Sequence, residues 1–105
     1  ENLFQWHPVE PALDALKATG GNFLVCSLSS RFAGNAWPFQ QGLDSKFYFD
    51  QPQATYFIRL EKFLQVTQQR GIVVQLELWD AFDFFKANNG WAMNPFNPKN
   101  NVAYD

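Results

Sequence analysis

The stretch Gly71-Ile72-Val73-Val74-Gln75-Leu76-Glu77-Leu78-Trp79-Asp80 constrains the fold of this chain more than any other. It opens as an apolar, β-branched run of the kind that forms a strand covered on both faces. Gln75 and Glu77 then fall in one alternation phase, with Trp79 at the far end. A carboxylate on the inner half of a buried strand is costly unless it has partners or faces a polar cavity. Parallel α/β proteins gather polar groups at the carboxyl ends of their strands, and their sites lie there. The pattern predicts a strand over 72–79 that delivers Glu77 and Trp79 to the edge of a binding cleft.

The residues before this strand predict a helix over 51–70. Asp50 suits its N-cap, with Gln53 as capping-box partner and Pro52 in the first turn. Tyr56, Phe57, Leu60, Phe63, Leu64 and Thr67 recur at helical spacing as one apolar face. Arg70 favours the negative end of the helix dipole, and Gly71 stops the helix. An earlier helix is expected over 11–19, from Pro11 in its first turn to the glycine stop at Gly20-Gly21. A second strand follows over 22–28. Phe23, Leu24, Val25, Cys26 and Leu28 leave it almost no polar face, so both faces should be covered, and Ser27, Ser29 and Ser30 give it a polar tip.

Two long segments follow the two strands. Residues 31–49 show no convincing period and are broken by Gly34, Pro38 and Gly42, yet Phe32, Trp37, Phe39 and Phe47 make them sticky. Loops of this length in compact domains are usually functional or disordered, and the aromatic content argues for order. Beyond Asp80, one short helical turn around Phe82–Phe85 gives way to Asn88-Asn89-Gly90, Asn94-Pro95 and Asn97-Pro98, which interrupt regular structure. Strands separated by helices imply an α/β fold with parallel pairing and a right-handed crossover. Both long loops follow strands, which in a (β/α)-barrel puts them on the catalytic face. Two strands that are apolar on both faces cannot be covered by two helices within 105 residues. Residues 1–105 are therefore expected to be one partial segment of a larger domain.

The run Ala15-Leu16-Lys17-Ala18-Thr19-Gly20-Gly21-Asn22-Phe23 resembles the first helix and second strand of (β/α)8 glycoside hydrolases, the TIM-barrel superfamily that includes cellulases. Arg70 to Asp80 resembles the end of their next helix and their third strand, and Trp91 to Asn101 looks like the substrate-face loop that follows. The resemblance covers most of the chain and about a third of such a barrel. It implies a glycosidase with two catalytic carboxylates, the acid/base following an Asn at the end of strand four and the nucleophile ending strand seven. By that resemblance, neither position is expected in this chain. Glu77 follows Leu76 instead of Asn, so the resemblance assigns no catalytic residue here. What it leaves to the chain is substrate binding.

Composition agrees with a neutral polar ligand. The chain is 18% aromatic and only 17% charged, and Asn and Gln are abundant. Flat tryptophan faces match the C–H faces of pyranose rings, so Trp37, Trp79 and Trp91 are binding candidates, each with buried loop anchoring as the alternative. Glu77 suits a sugar hydroxyl, or an ion pair with Arg31 that holds the site together. Arg31 and Asn35 complete the expected substrate-binding set. The formal charge is −2 with scattered basic residues, so no nucleic-acid or anionic-membrane surface is expected. His7 is the single histidine and Cys26 the single cysteine, a combination that gives no metal site and no nucleophilic dyad. No glycine-rich phosphate loop is present, and no cofactor is expected. Two partner classes remain: a poly- or oligosaccharide, and the rest of the barrel or another protein chain. On the second, the module is structural and its aromatic loops pack on that partner.

Overall fold

Residues 9–30, 34–78, 80–85 and 90–104 are described by the computed structural model. The elements run α1 (Glu10–Ala18), β1 (Phe23–Ser27), β2 (Phe39–Gln41), β3 (Phe47–Pro52), α2 (Ala54–Gln69), β4 (Val73–Glu77), α3 (Ala81–Phe84) and α4 (Gly90–Met93). A 3-10 turn, Pro98–Asn100, closes the order. Strands β1 and β4 pair in parallel, with Phe23 opposite Val73 and Ser27 opposite Glu77. The chain is thus mixed α/β with a parallel pair, as the sequence implied.

Both helices hand over to their strands by the same device. At the end of α1, Gly20 sits at φ +82° and donates to the Lys17 carbonyl at 3.0 Å, while Gly21 donates to the Leu16 carbonyl at 3.0 Å. At the end of α2, Gly71 at φ +63° donates to Gln68 and Ile72 donates to Thr67, each at 3.0 Å. These are paired Schellman closures, which use a left-handed residue to satisfy the last helical carbonyls. Ile72 then enters a core cluster with Leu13 and Val66, so the second closure also buries a side chain. From the end of α2 to the middle of α1, Arg70 donates to the Asp14 carboxylate at 2.6 Å, and that bond holds the Asp14 carboxyl below its usual range.

The core lies between the parallel pair and α2. Leu24, Cys26, Val74 and Leu76 face Tyr56, Leu60 and Phe63. Burial pushes the Cys26 thiol up to about 11 and the Tyr56 phenol up to about 12. Cys26 is therefore a neutral, inert filler at physiological pH.

Four expectations need correction. The opposite face of the pair is bare: Phe23 is 51% exposed, Val25 46% and Val73 61%. Cover on both faces is therefore not met among the described residues, because α2 packs on one side only. Second, residues 31–49 are not all loop. Phe39–Gln41 and Phe47–Pro52 form an antiparallel hairpin, with an irregularity between Phe39 and Gln40. Its tip closes through Ser45 N–H on the Gly42 carbonyl at 3.0 Å and Lys46 N–H on the Asp44 carboxylate at 3.0 Å, with Ser45 at φ +62°.

Third, α2 begins at Ala54, and Asp50 belongs to β3. Pro52 pairs opposite Phe39 and Gln53 N–H bonds the Pro38 carbonyl at 2.9 Å, which keeps the chain extended through the expected cap. Gln53 is the N-cap, by backbone geometry alone. Fourth, the buried face of α2 is Tyr56, Phe63, Val66 and Thr67; Phe57 and Leu64 are exposed. The apolar set of this helix is wider than the sheet it covers.

Candidate functional site

The carboxyl ends of β1 and β4 meet at a small polar junction. Leu28 N–H extends the ladder to the Glu77 carbonyl at 3.0 Å, so the chains leave the sheet together. Ser27 then donates to the Asp80 carboxylate at 3.1 Å, and Ser29 donates to that of Asp83 at 2.8 Å. Asp80 also caps α3 by accepting from Phe82 N–H at 2.8 Å. The serine tip of one strand thereby orients the two aspartates that follow the other.

Beside this junction lies a cavity of about 250 Å³. Trp37, Phe39, Tyr56, Phe84 and Phe96 contribute aromatic walls, and Ser30, Asp80, Asp83 and Asn94 contribute polar groups. The walls are braced in turn. Trp37 meets Phe47 edge-on at 5.6 Å, and Phe96 contacts both Phe49 at 5.2 Å and Phe39 at 6.0 Å. The hairpin and the C-terminal segment thus share one aromatic cluster over the strand ends.

Asparagines hold that C-terminal segment in place. Asn94 donates to the Asp83 carbonyl at 2.8 Å and accepts from Phe96 N–H at 2.8 Å. Asn97 donates to the Trp91 carbonyl at 2.9 Å and accepts from Lys99 N–H at 3.1 Å. Asn101, fully buried, donates to the Pro95 and Asn97 carbonyls at 2.8 and 3.0 Å. It also accepts from Ala103 and Tyr104 N–H. These amides serve the backbone, the commoner role of asparagine in turns. Asn94 therefore reaches the cavity with its amide oxygen and one of its two amide N–H groups engaged.

The expected site residues separate into groups. Trp37 lines the cavity. Trp91 stands behind it, with its ring centroid 6.0 Å from that of Phe84. Glu77 lies on the bare sheet face and borders an adjoining open depression that it shares with Leu78, Asp80, Ala81 and Phe82. Asn35 does not line the cavity; neither atom of its buried side-chain amide has a hydrogen-bond partner among the described residues. Arg31 and Trp79 fall outside the described residues, and with them the expected Glu77–Arg31 pair.

The expected binding set did not include Ser30, Tyr56, Phe96, Asp80 or Asp83, all of which line the cavity. The signal for the aspartates was present in their position just past a strand that ends on polar residues. Ser30 is 3% exposed and its hydroxyl has no hydrogen-bond partner among the described residues. Among those residues, no group of three His, Cys, Asp or Glu is placed to hold a metal ion, and no helix is long and apolar enough to cross a membrane. No family model, curated protein or solved structure matches the chain.

Proposed function

We propose that this chain is a carbohydrate-binding segment of a (β/α)-barrel protein of the glycoside hydrolase type, contributing binding and not bond cleavage. The observation that carries the reading is the cavity at the carboxyl ends of a parallel strand pair. Aromatic walls there surround a few polar groups held by the strand tips. Sugar rings present apolar C–H faces and a rim of hydroxyls, and such a cavity offers a complement to both. The bare face of β1 and β4 supports the barrel element of the proposal. Parallel sheets are ordinarily covered on both sides, and in a barrel the face turned away from the helices is the packed interior. Glu77 and Gln75 on that face would then point into the barrel, toward the substrate end.

Titration of tryptophan fluorescence with a panel of β- and α-linked oligosaccharides tests the reading. A saturable change that is lost in Trp37→Ala, with the fold retained by circular dichroism, is the expected outcome. Absence of a response to every sugar would remove the carbohydrate reading. The same bare face favours a second reading, a structural module completed by another protein chain. Sugar-independent association that disappears in Val25→Lys is the result that would select it.

A further inference from the structure

We infer that the ligand is an oligosaccharide of at least two sugar units, running from the aromatic cavity over Leu78 and Asp80 into the depression beside Glu77 and Phe82. This narrows the carbohydrate reading to a substrate class and rests on that reading. Leu78 and Asp80 line the cavity and the depression alike, so the two hollows share a border. Asp80 is pinned at that border through both carboxylate oxygens, one accepting from Ser27 and the other from Phe82 N–H. Each oxygen of a carboxylate can accept a second hydrogen bond, so Asp80 can meet sugar hydroxyls while keeping its protein partners.

The size of the cavity sets the number of units. A volume of about 250 Å³ lies below the roughly 300–1,000 Å³ of pockets that enclose drug-sized molecules. It suits one six-membered ring against Trp37, Phe84 and Phe96, and a linked second ring has to lie outside. The depression offers that second ring both of the contacts it needs. Phe82 is 52% exposed there and Glu77 is exposed, so an aromatic ring and a carboxylate are open to solvent together. A sugar can lay its C–H face on the ring and donate hydroxyls to the carboxylate. Glu77 ends β4 on the bare sheet face, which the barrel reading turns toward the barrel axis. The cavity then holds the unit remote from the axis, and the depression holds the next unit inward.

The test titrates the full chain by calorimetry with the methyl glycosides of glucose, mannose and galactose and with their β- and α-linked di- and trisaccharides. The disaccharide of the preferred series should bind about tenfold more tightly than its methyl glycoside, equivalent to about 1.4 kcal/mol. In Phe82→Ala that gain should vanish while affinity for the methyl glycoside is unchanged. Glu77→Gln should also reduce the gain, with an unchanged melting temperature, and it decides the matter if Phe82→Ala proves less stable. Equal affinity for the methyl glycoside and the disaccharide would overturn the inference and leave the carbohydrate reading intact. A tenfold gain that survives in both variants would overturn it too, since the second unit would then lie elsewhere. Failure of every sugar to bind would overturn both.

Discussion

The thiol of Cys26 gives the packing of β1 against α2 a measurable signature in alkali. Burial raises this group from 9.0 to about 11 in the folded chain. A group raised on folding contributes stability that is fully present below its unfolded value and lost as pH climbs through the folded one. At pH 10 the unfolded thiol is about nine-tenths ionised and the folded thiol about one-tenth. The difference corresponds to about 1.4 kcal/mol of lost stability, roughly doubling above pH 11. Tyr56, raised from 10.0 to about 12, adds a similar loss at higher pH.

The perturbation is Cys26→Ala, and the assay is urea unfolding followed by tryptophan fluorescence at pH 7, 8, 9 and 10. Removing the sulfur leaves a small cavity and lowers stability at every pH, so the informative quantity is the slope. Wild type should lose about 1–1.5 kcal/mol more than the variant between pH 8 and pH 10. Because this is the only cysteine, no intramolecular disulfide complicates the comparison. Parallel curves for the two proteins would refute the burial of Cys26 beneath Tyr56 and Phe63, and with it the assigned face of the sheet.

Two further substitutions probe α2 and its end. Phe63→Ala, at a side chain 1% exposed, should cost about 3–5 kcal/mol, whereas Ile58→Ala on the outer face should change stability by less than about 0.5 kcal/mol; thermal melts of the pair read the difference. Gly71→Ala should destabilise by about 1 kcal/mol. Its Cβ would meet only Lys17 Nζ at 3.7 Å, so the cost is the left-handed backbone alone, and Gly71→Asn should recover part of it in denaturant titrations.

What could be read from the sequence was decided by local chemistry. Gly20 and Gly71 announce helix ends because few other residues accept a positive φ there, and both strands followed at once. The parallel pair was legible because Phe23–Ser27 and Val73–Glu77 are apolar runs that each follow a helix. The hairpin was not, because Phe47-Tyr48-Phe49 continues into Asp50-Gln51-Pro52, which has the chemistry of a helix start. The pairing of Pro52 opposite Phe39 and the Gln53 N–H bond to the Pro38 carbonyl decide between the two, and both contacts span a loop. The bare sheet face was likewise hidden, since a run of apolar residues does not say which side is covered. At the site, Trp37 was recoverable from its residue type. Ser30 was not, because an unpaired hydroxyl is a property of surroundings and not of spacing.

The asparagine bonds of the C-terminal segment have a consequence for how that part of the molecule can change. Most of them span eight residues or fewer, from Asn100 reaching Ala92 to Asn101 receiving Tyr104. The segment therefore carries much of its own hydrogen bonding, and it meets the remainder through Asn94 on Asp83, Val102 N–H on the Phe47 carbonyl and the packing of Phe96 on Phe39 and Phe49. Such a stretch behaves as a cassette. Its exposed positions can vary without retuning the parallel pair, whereas a change at Phe96 is felt by Phe39 and Phe49 of the hairpin.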